Sequence, residues 1–258
     1  MTIYSLDFIY AGHSSEEYGV KLGFIQNIDR ASNEEKTEIK TSKNLFQETW
    51  NFHGTYPSEP LTFKICVFNE DGTMIDADKQ EDLKNWLIRD EYAWLSIDQI
   101  DLYDKQYFCI INNPSFEDVG MQNAGFTFQC TCDSNHAWSP LQNKPYTSNT
   151  TINFDLFNYA KYNKYIILPA LTISPTSNGN ISIVNNTTNK TVTINNCVST
   201  ETIYLDCKTG MIKSTNGRIM LDSWNKNILE LKQGKNNITL NGAFTIKFEY
   251  RIPVRIGG

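Results

Sequence analysis

The side chains that could do chemistry in this chain are few and scattered. Its 258 residues carry three histidines, His13, His53 and His136, and six cysteines. Cys130 and Cys132 stand two apart, the spacing of one shared strand face and not of a zinc knuckle or a redox C-x-x-C pair. Cys66, Cys109 and Cys197 lie in apolar or β-like runs, where a thiol behaves as a small hydrophobe, so the thiols are expected to stay unbridged. His13 falls in the turn Ala11-Gly12-His13-Ser14-Ser15 with no second histidine near it, and reads as a solvated turn residue because catalysis needs a constellation. Asp98, Asp101 and Asp104 invite a metal or acid–base reading. No histidine or further ligand is close to them, and a strand end and turn bearing solvated charge is the simpler account. Asn69-Glu70-Asp71-Gly72 lacks the alternating acids of a calcium loop and reads as a hairpin turn.

No G-x-S-x-G, H-E-x-x-H or phosphate-binding glycine loop occurs. Paired carboxylates leave little trace in a sequence, so an enzyme acting on a cell wall stays open as a minor alternative. The expectation is a protein that is not an enzyme, with no catalytic residue, no cofactor and no metal, and with its binding residues unassigned.

The elements that position these residues divide around residues 125–140, GFTFQCTCDSNHAWSP. Phe126, Phe128, Cys130 and Cys132 alternate with Thr127, Gln129 and Thr131, the period of two of a strand with one buried face. Asp133, Ser134 and Asn135 then form a turn, and Ser139-Pro140 turns the chain away from helix. This predicts a domain at 1–139 and a second at 140–258. Charge makes the same cut: residues 1–139 hold 10 Lys/Arg against 23 Asp/Glu, a formal −13, and residues 140–258 hold 13 against 6, a formal +7. Such asymmetry bears on partners more than on fold. A hydrophobic fraction of 40% and an aromatic fraction of 12% exclude a disordered chain. No apolar run is long enough for a membrane helix, and MTIYSLDFIYAG lacks the basic start and apolar core of a signal peptide, so synthesis in a cytoplasm is expected.

Along the first half, strands are predicted over residues 4–10, 63–68, 93–100 and 107–111, with an exposed loop or arm over 29–44. The helix is predicted over 78–90, capped by Asp78, with Leu83, Trp86 and Leu87 at i, i+3 and i+4 on its buried face. The second half is crowded with Asn, Ser, Thr and Gly. Short β-branched runs recur there at 152–157, 165–173, 181–184, 191–194, 201–205, 228–231, 238–240 and 244–250, the spacing of a sandwich or jelly roll. Sequons at Asn180, Asn186 and Asn237 read as strand and turn chemistry.

Several of these motifs, in order, carry a resemblance. Phe8-Ile9-Tyr10-Ala11-Gly12 with Ser14-Ser15 and Tyr18-Gly19 opens the chain; Leu83, Trp86 and Leu87 then precede Leu95 and Tyr107-Phe108. Gly125-Phe126-Thr127-Phe128 leads to Cys132, and Leu231, Gly234, Asn236, Ile238 and Gly242 follow near the C-terminus. Over nearly its full length the chain resembles the distal tail proteins of long-tailed, non-contractile bacteriophages. It departs at Ala11, where Asn would be expected beside Gly12.

That resemblance implies a mainly β fold: an N-terminal β-sandwich-like ring or belt domain with one helix, and a C-terminal galectin-like or jelly-roll β-sandwich. It further implies a homo-hexameric ring at the virion tail tip, between the tail tube protein and tail-tip, tail-fibre or receptor-binding proteins. DNA would pass through the channel without specific binding, and nothing would insert in a membrane. The sugar-contacting patterns H-x-N-P-R and W-x-x-E-x-R of galectins are absent, since Trp224 is followed by Asn225, Lys226 and Asn227. The competing reading is a host-surface carbohydrate-binding protein, whose exposed aromatics in the second half would stack on cell-wall glycan.

Overall fold

The structure is a computed structural model that describes residues 6–26, 37–44, 49–57, 60–100, 102–119, 122–161 and 165–254. It is mainly β and divides into two compact units, Met1–Trp138 with Val254–Gly258, and Ser139–Pro253. The first unit contains β1 (Phe8–Tyr10), β2 (His13–Ser14), a 3-10 turn (Ser15–Tyr18), β3 (Val20–Gln26), β4 (Thr37–Asn44), β5 (Thr49–Pro57) and β6 (Thr62–Asn69). Then come α1 (Ala77–Leu87), β7 (Ala93–Ile97), β8 (Gln106–Val119), β9 (Gln122–Cys132) and β10 (Ala137–Trp138). The second unit runs through β11 (Gln142–Ser148), β12 (Thr151–Asn158), β13 (Ala170–Pro175), β14 (Gly179–Asn185) and β15 (Lys190–Cys197). It continues with β16 (Ile203–Asp206), β17 (Met211–Ser214), β18 (Gly234–Asn241) and β19 (Phe244–Tyr250), and β20 (Pro253–Val254) ends the described chain.

In the first unit one antiparallel sheet has the order β2-β1-β7-β8-β9-β6-β3, with β10 beside β8 and β20 beside β10. Phe126, Phe128, Cys130 and Cys132 all face the core, as their alternation predicts. The helix is shorter than predicted and its cap lies two residues earlier. Asp76, in an extended conformation, accepts the Lys79 N–H at 2.8 Å, and the chain leaves the helix at Ile88. Asp78 therefore sits inside the first turn, where its charge still suits the helix dipole. Leu83, Trp86 and Leu87 are buried as their spacing requires. The turn Asn69-Glu70-Asp71-Gly72 forms, with the Gly72 N–H on the Asn69 carbonyl, but it leads into α1 and makes no hairpin, because β6 is already flanked by β3 and β9. The arm foreseen over 29–44 contains a strand, β4, in the part the structure describes.

In the second unit a five-stranded sheet, β11-β19-β13-β16-β17, and a four-stranded sheet, β12-β18-β14-β15, enclose a single core. β19 fills the predicted 244–250, with Phe244, Ile246, Phe248 and Tyr250 inward. The run 228–231 is not a strand. Its backbone makes a single antiparallel bridge, Leu231 with Ile167, and buried carboxamides supply further donors to its carbonyls: Asn185 Nδ2 donates to Glu230 O at 2.6 Å and Asn158 Nδ2 to Leu231 O at 3.0 Å. Asn236 completes the set, accepting from Asn185 Nδ2 and the Lys232 N–H and donating to Lys232 O. Three fully buried amides thus satisfy an irregular backbone that could not otherwise lie in a core.

Candidate functional site

Each residue type with chemical potential takes a structural place. All six cysteines are buried and unbridged. Cys109 faces Cys132 across β8 and β9, and hydrogen bonding among the Cys109, Cys130 and Cys132 thiols together with burial raises the Cys109 and Cys132 thiols well above their ordinary value. Burial pushes Cys197 up to about 11 and Cys207 up to about 12, so these four are protonated at neutral pH and are poor nucleophiles. His13 pairs with Glu17 at 2.9 Å on the surface. His136 packs edge-on against Trp138, and burial lowers it from its ordinary value, against the pull of Asp133. The side chain of His53 and residue Asp101 lie outside the described set. Asp98 and Asp104 are exposed, Asp104 beside Lys105 at 3.8 Å. Among the described residues no three His, Cys, Asp or Glu side chains converge as a metal would require, and no helix is long and apolar enough to cross a membrane.

The most chemically suggestive pair is Glu201 with Arg218, and it too is satisfied. The Glu201 carboxylate is fully buried; Arg218 Nε and Nη2 bind its two oxygens at 2.9 and 2.8 Å, Ser214 Oγ donates at 2.6 Å and the Val198 N–H at 3.0 Å. Burial alone would raise this carboxyl, but these donors outweigh it and hold it below the usual range. Arg218 Nη1 also reaches Ser223 Oγ, so the pair pins the loop before Trp224. Trp224 itself is buried with Nε1 on Asn227 O, and offers no face to a sugar.

Among the described residues, two strand ribbons leave backbone edges unpaired. Among the described residues β4 pairs only with β5, from Thr37↔Pro57 to Asn44↔Thr49. The outer part of the β8–β9 hairpin, Glu117–Val119 against Gln122–Gly125, likewise extends past the stretch of β9 that β6 covers, which is Phe126–Thr131. Among the described residues both ribbons present strand edges on two sides. Residue spacing could not reveal them, because an edge is defined by which neighbours are missing.

This two-unit, mainly β architecture is one that phage tail proteins share. Family models described as phage tail protein N-terminal domain and phage tail C-terminal domain match residues 3–134 and 136–250, and the chain belongs to this family of phage tail proteins. Among solved structures, the Dit protein of phage SPP1, described as a paradigm of the hub adsorption apparatus in phages infecting Gram-positive bacteria, superposes with a TM-score of 0.68. The identity is 13%, and the match covers 96% of this chain and 100% of that one. A chain of the phage P2 baseplate in its calcium-activated conformation superposes with a TM-score of 0.59 at 8% identity, covering 98% and 99%. No curated protein sequence matches the chain.

Proposed function

We propose that the protein is a non-enzymatic structural hub of a phage tail tip, whose copies close into a ring between tail tube and tip proteins and anchor the host-adsorption apparatus. The observation that carries this reading is the pair of two-stranded ribbons, β4–β5 and the outer part of β8–β9. A two-stranded ribbon is marginal in water, and its edges are templates for further pairing. Placed side by side around a ring, the ribbons of successive copies give every strand two neighbours, and a closed barrel has no edge left. Six copies is the number that the distal tail resemblance implies. The acidic balance of residues 1–139 supports a channel wall along which DNA slides, since fixed cations would hold phosphates and fixed anions do not.

The test uses native mass spectrometry and negative-stain imaging of the full chain beside a variant in which residues 29–57 are replaced by a short Gly/Ser loop. Gln26 and Lys64 are cross-strand partners, so a short loop closes β3 onto β6 without disturbing the sheet. The full chain forms a six-copy ring and the variant remains a folded monomer. A full chain that stays monomeric at every concentration, or a variant that still forms the ring, would refute the assembly.

A further inference from the structure

We propose that the second unit carries a binding platform for an acidic polysaccharide, built on the stacked pair Phe157 and Tyr159 and rimmed by Lys161, Lys232 and Lys235. Tyr159 is 70% exposed and Phe157 39%, in a unit that buries most of its other large apolar side chains. Their rings lie parallel, centroids 5.5 Å apart and planes within 9°. Tyr159 therefore leans one face on Phe157.

The mount is rigid. Asn158, between the two rings in sequence, is buried and accepts the Ala160 N–H while donating to Tyr165 O and Leu231 O. Gln233 Nε2 ties Ala160 O at 2.8 Å. These bonds tie residues 158 and 160 to Leu231 and Gln233, just before β18, so that Lys161, Lys232 and Lys235 each stand within two residues of a bonded position. All three lysines are exposed. Lys235 faces Phe157 across the β12–β18 ladder and reaches Asp155 at 2.9 Å; among the described residues neither Lys161 nor Lys232 forms an ion pair.

The chemistry of the ligand follows from the neighbours. A pyranose presents a C–H face that packs on the electron-rich face of an aromatic ring, and lysines supply point charges for carboxylates or phosphates. Beyond Phe157 the outward row of the same sheet carries one carboxylate, Asp155, already paired with Lys235, and is otherwise amide and hydroxyl: Asp155, Asn237, Asn153, Thr239 and Asn186 hydrogen-bond one another across β12, β18 and the residue after β14. A hydroxyl-rich polymer finds donors and acceptors there. A single-stranded nucleic acid would call for successive stacking platforms, and this row provides one. The inference holds whether or not copies of the chain form a ring.

Isothermal titration of the full chain tests it, with an oligogalacturonate (carboxylate), a phosphomannan oligosaccharide (phosphate), an uncharged maltooligosaccharide and oligothymidylate. At least one acidic glycan binds, with affinity falling as salt rises. Tyr159→Ala weakens it about tenfold, in the range of a lost aromatic contact, and Tyr159→Phe retains it. Lys161→Gln with Lys232→Gln weakens binding and flattens the salt dependence. Each variant melts as the parent does, since all three side chains are exposed. Failure of both acidic glycans to bind, equal binding of the neutral glycan or of oligothymidylate, or an unchanged Tyr159→Ala would overturn the proposal.

Discussion

The indole of Trp86 lies flat on the ring of Tyr18, with centroids 4.2 Å apart and planes within 2°. The indole also stacks on Phe8 at 5.3 Å, and its N–H donates to Tyr10 O at 3.0 Å. One side chain thus joins α1, β1 and the 3-10 turn. Trp86→Ala is expected to destabilise the first unit by about 3–5 kcal/mol and to leave the second unchanged. Differential scanning calorimetry resolves this as a shift in one of two transitions; a common shift of both would contradict independent cores.

Removing the cation from the buried Glu201–Arg218 pair leaves a carboxylate with no counter-charge. Arg218→Ala should cost about 3 kcal/mol, the low end for a broken buried pair, because Arg218 keeps a quarter of its side chain exposed. The Glu201 carboxyl is lowered in the folded state, so its contribution is complete above the ordinary glutamate range and is lost as the pH falls through the folded value. Glu201→Gln should therefore show a shallower loss of stability on acidification below about pH 4 than the parent does, measured by urea titration at several pH values.

Ala11 and Gly12 join β1 to β2 with φ of 54° and 86°. Both central positions of this two-residue hairpin lie in the left-handed region, where alanine is strained and asparagine is not. Ala11→Asn should raise stability by about 0.5–1 kcal/mol, seen as a higher urea midpoint with unchanged slope.

Asn236→Ala removes acceptor and donor from the Lys232 backbone and from Asn185 at once. A loss of about 2–3 kcal/mol is expected, since it leaves buried polar groups unpaired. A loss under about 0.5 kcal/mol, the size of an ordinary surface substitution, would show that water replaces the amide.

We propose that each unit is an autonomous domain. Residues 139–253, expressed alone, should give the circular dichroism of a folded β-protein with its own cooperative melting transition. An unfolded fragment would show that the second core needs the first.

Much of the fold was legible because burial writes period two and period three-to-four patterns into a chain. Phe244 to Tyr250 and Leu83, Trp86 and Leu87 were read directly for that reason. The helix cap was misplaced because Asp76 and Asp78 are chemically alike, and only the backbone conformation chooses between them. The apolar run 228–231 looked like a strand because hydrophobicity reports burial; the partners of its carbonyls, Asn158 and Asn185, lie far off in sequence. β11 and β17 were missed because their half-wet positions carry Gln, Asn, Lys and Ser, which leave no alternation. The ribbons and the Phe157–Tyr159 platform depend on what stands beside them in space, and no spacing encodes that.

The last described strand, Pro253–Val254, joins the sheet of the first unit beside Ala137–Trp138. On a ribosome, therefore, the first domain to emerge cannot finish its sheet until more than a hundred further residues have been translated, although domains ordinarily complete themselves in order of synthesis. A chain cut short anywhere in the second unit would lack that strand.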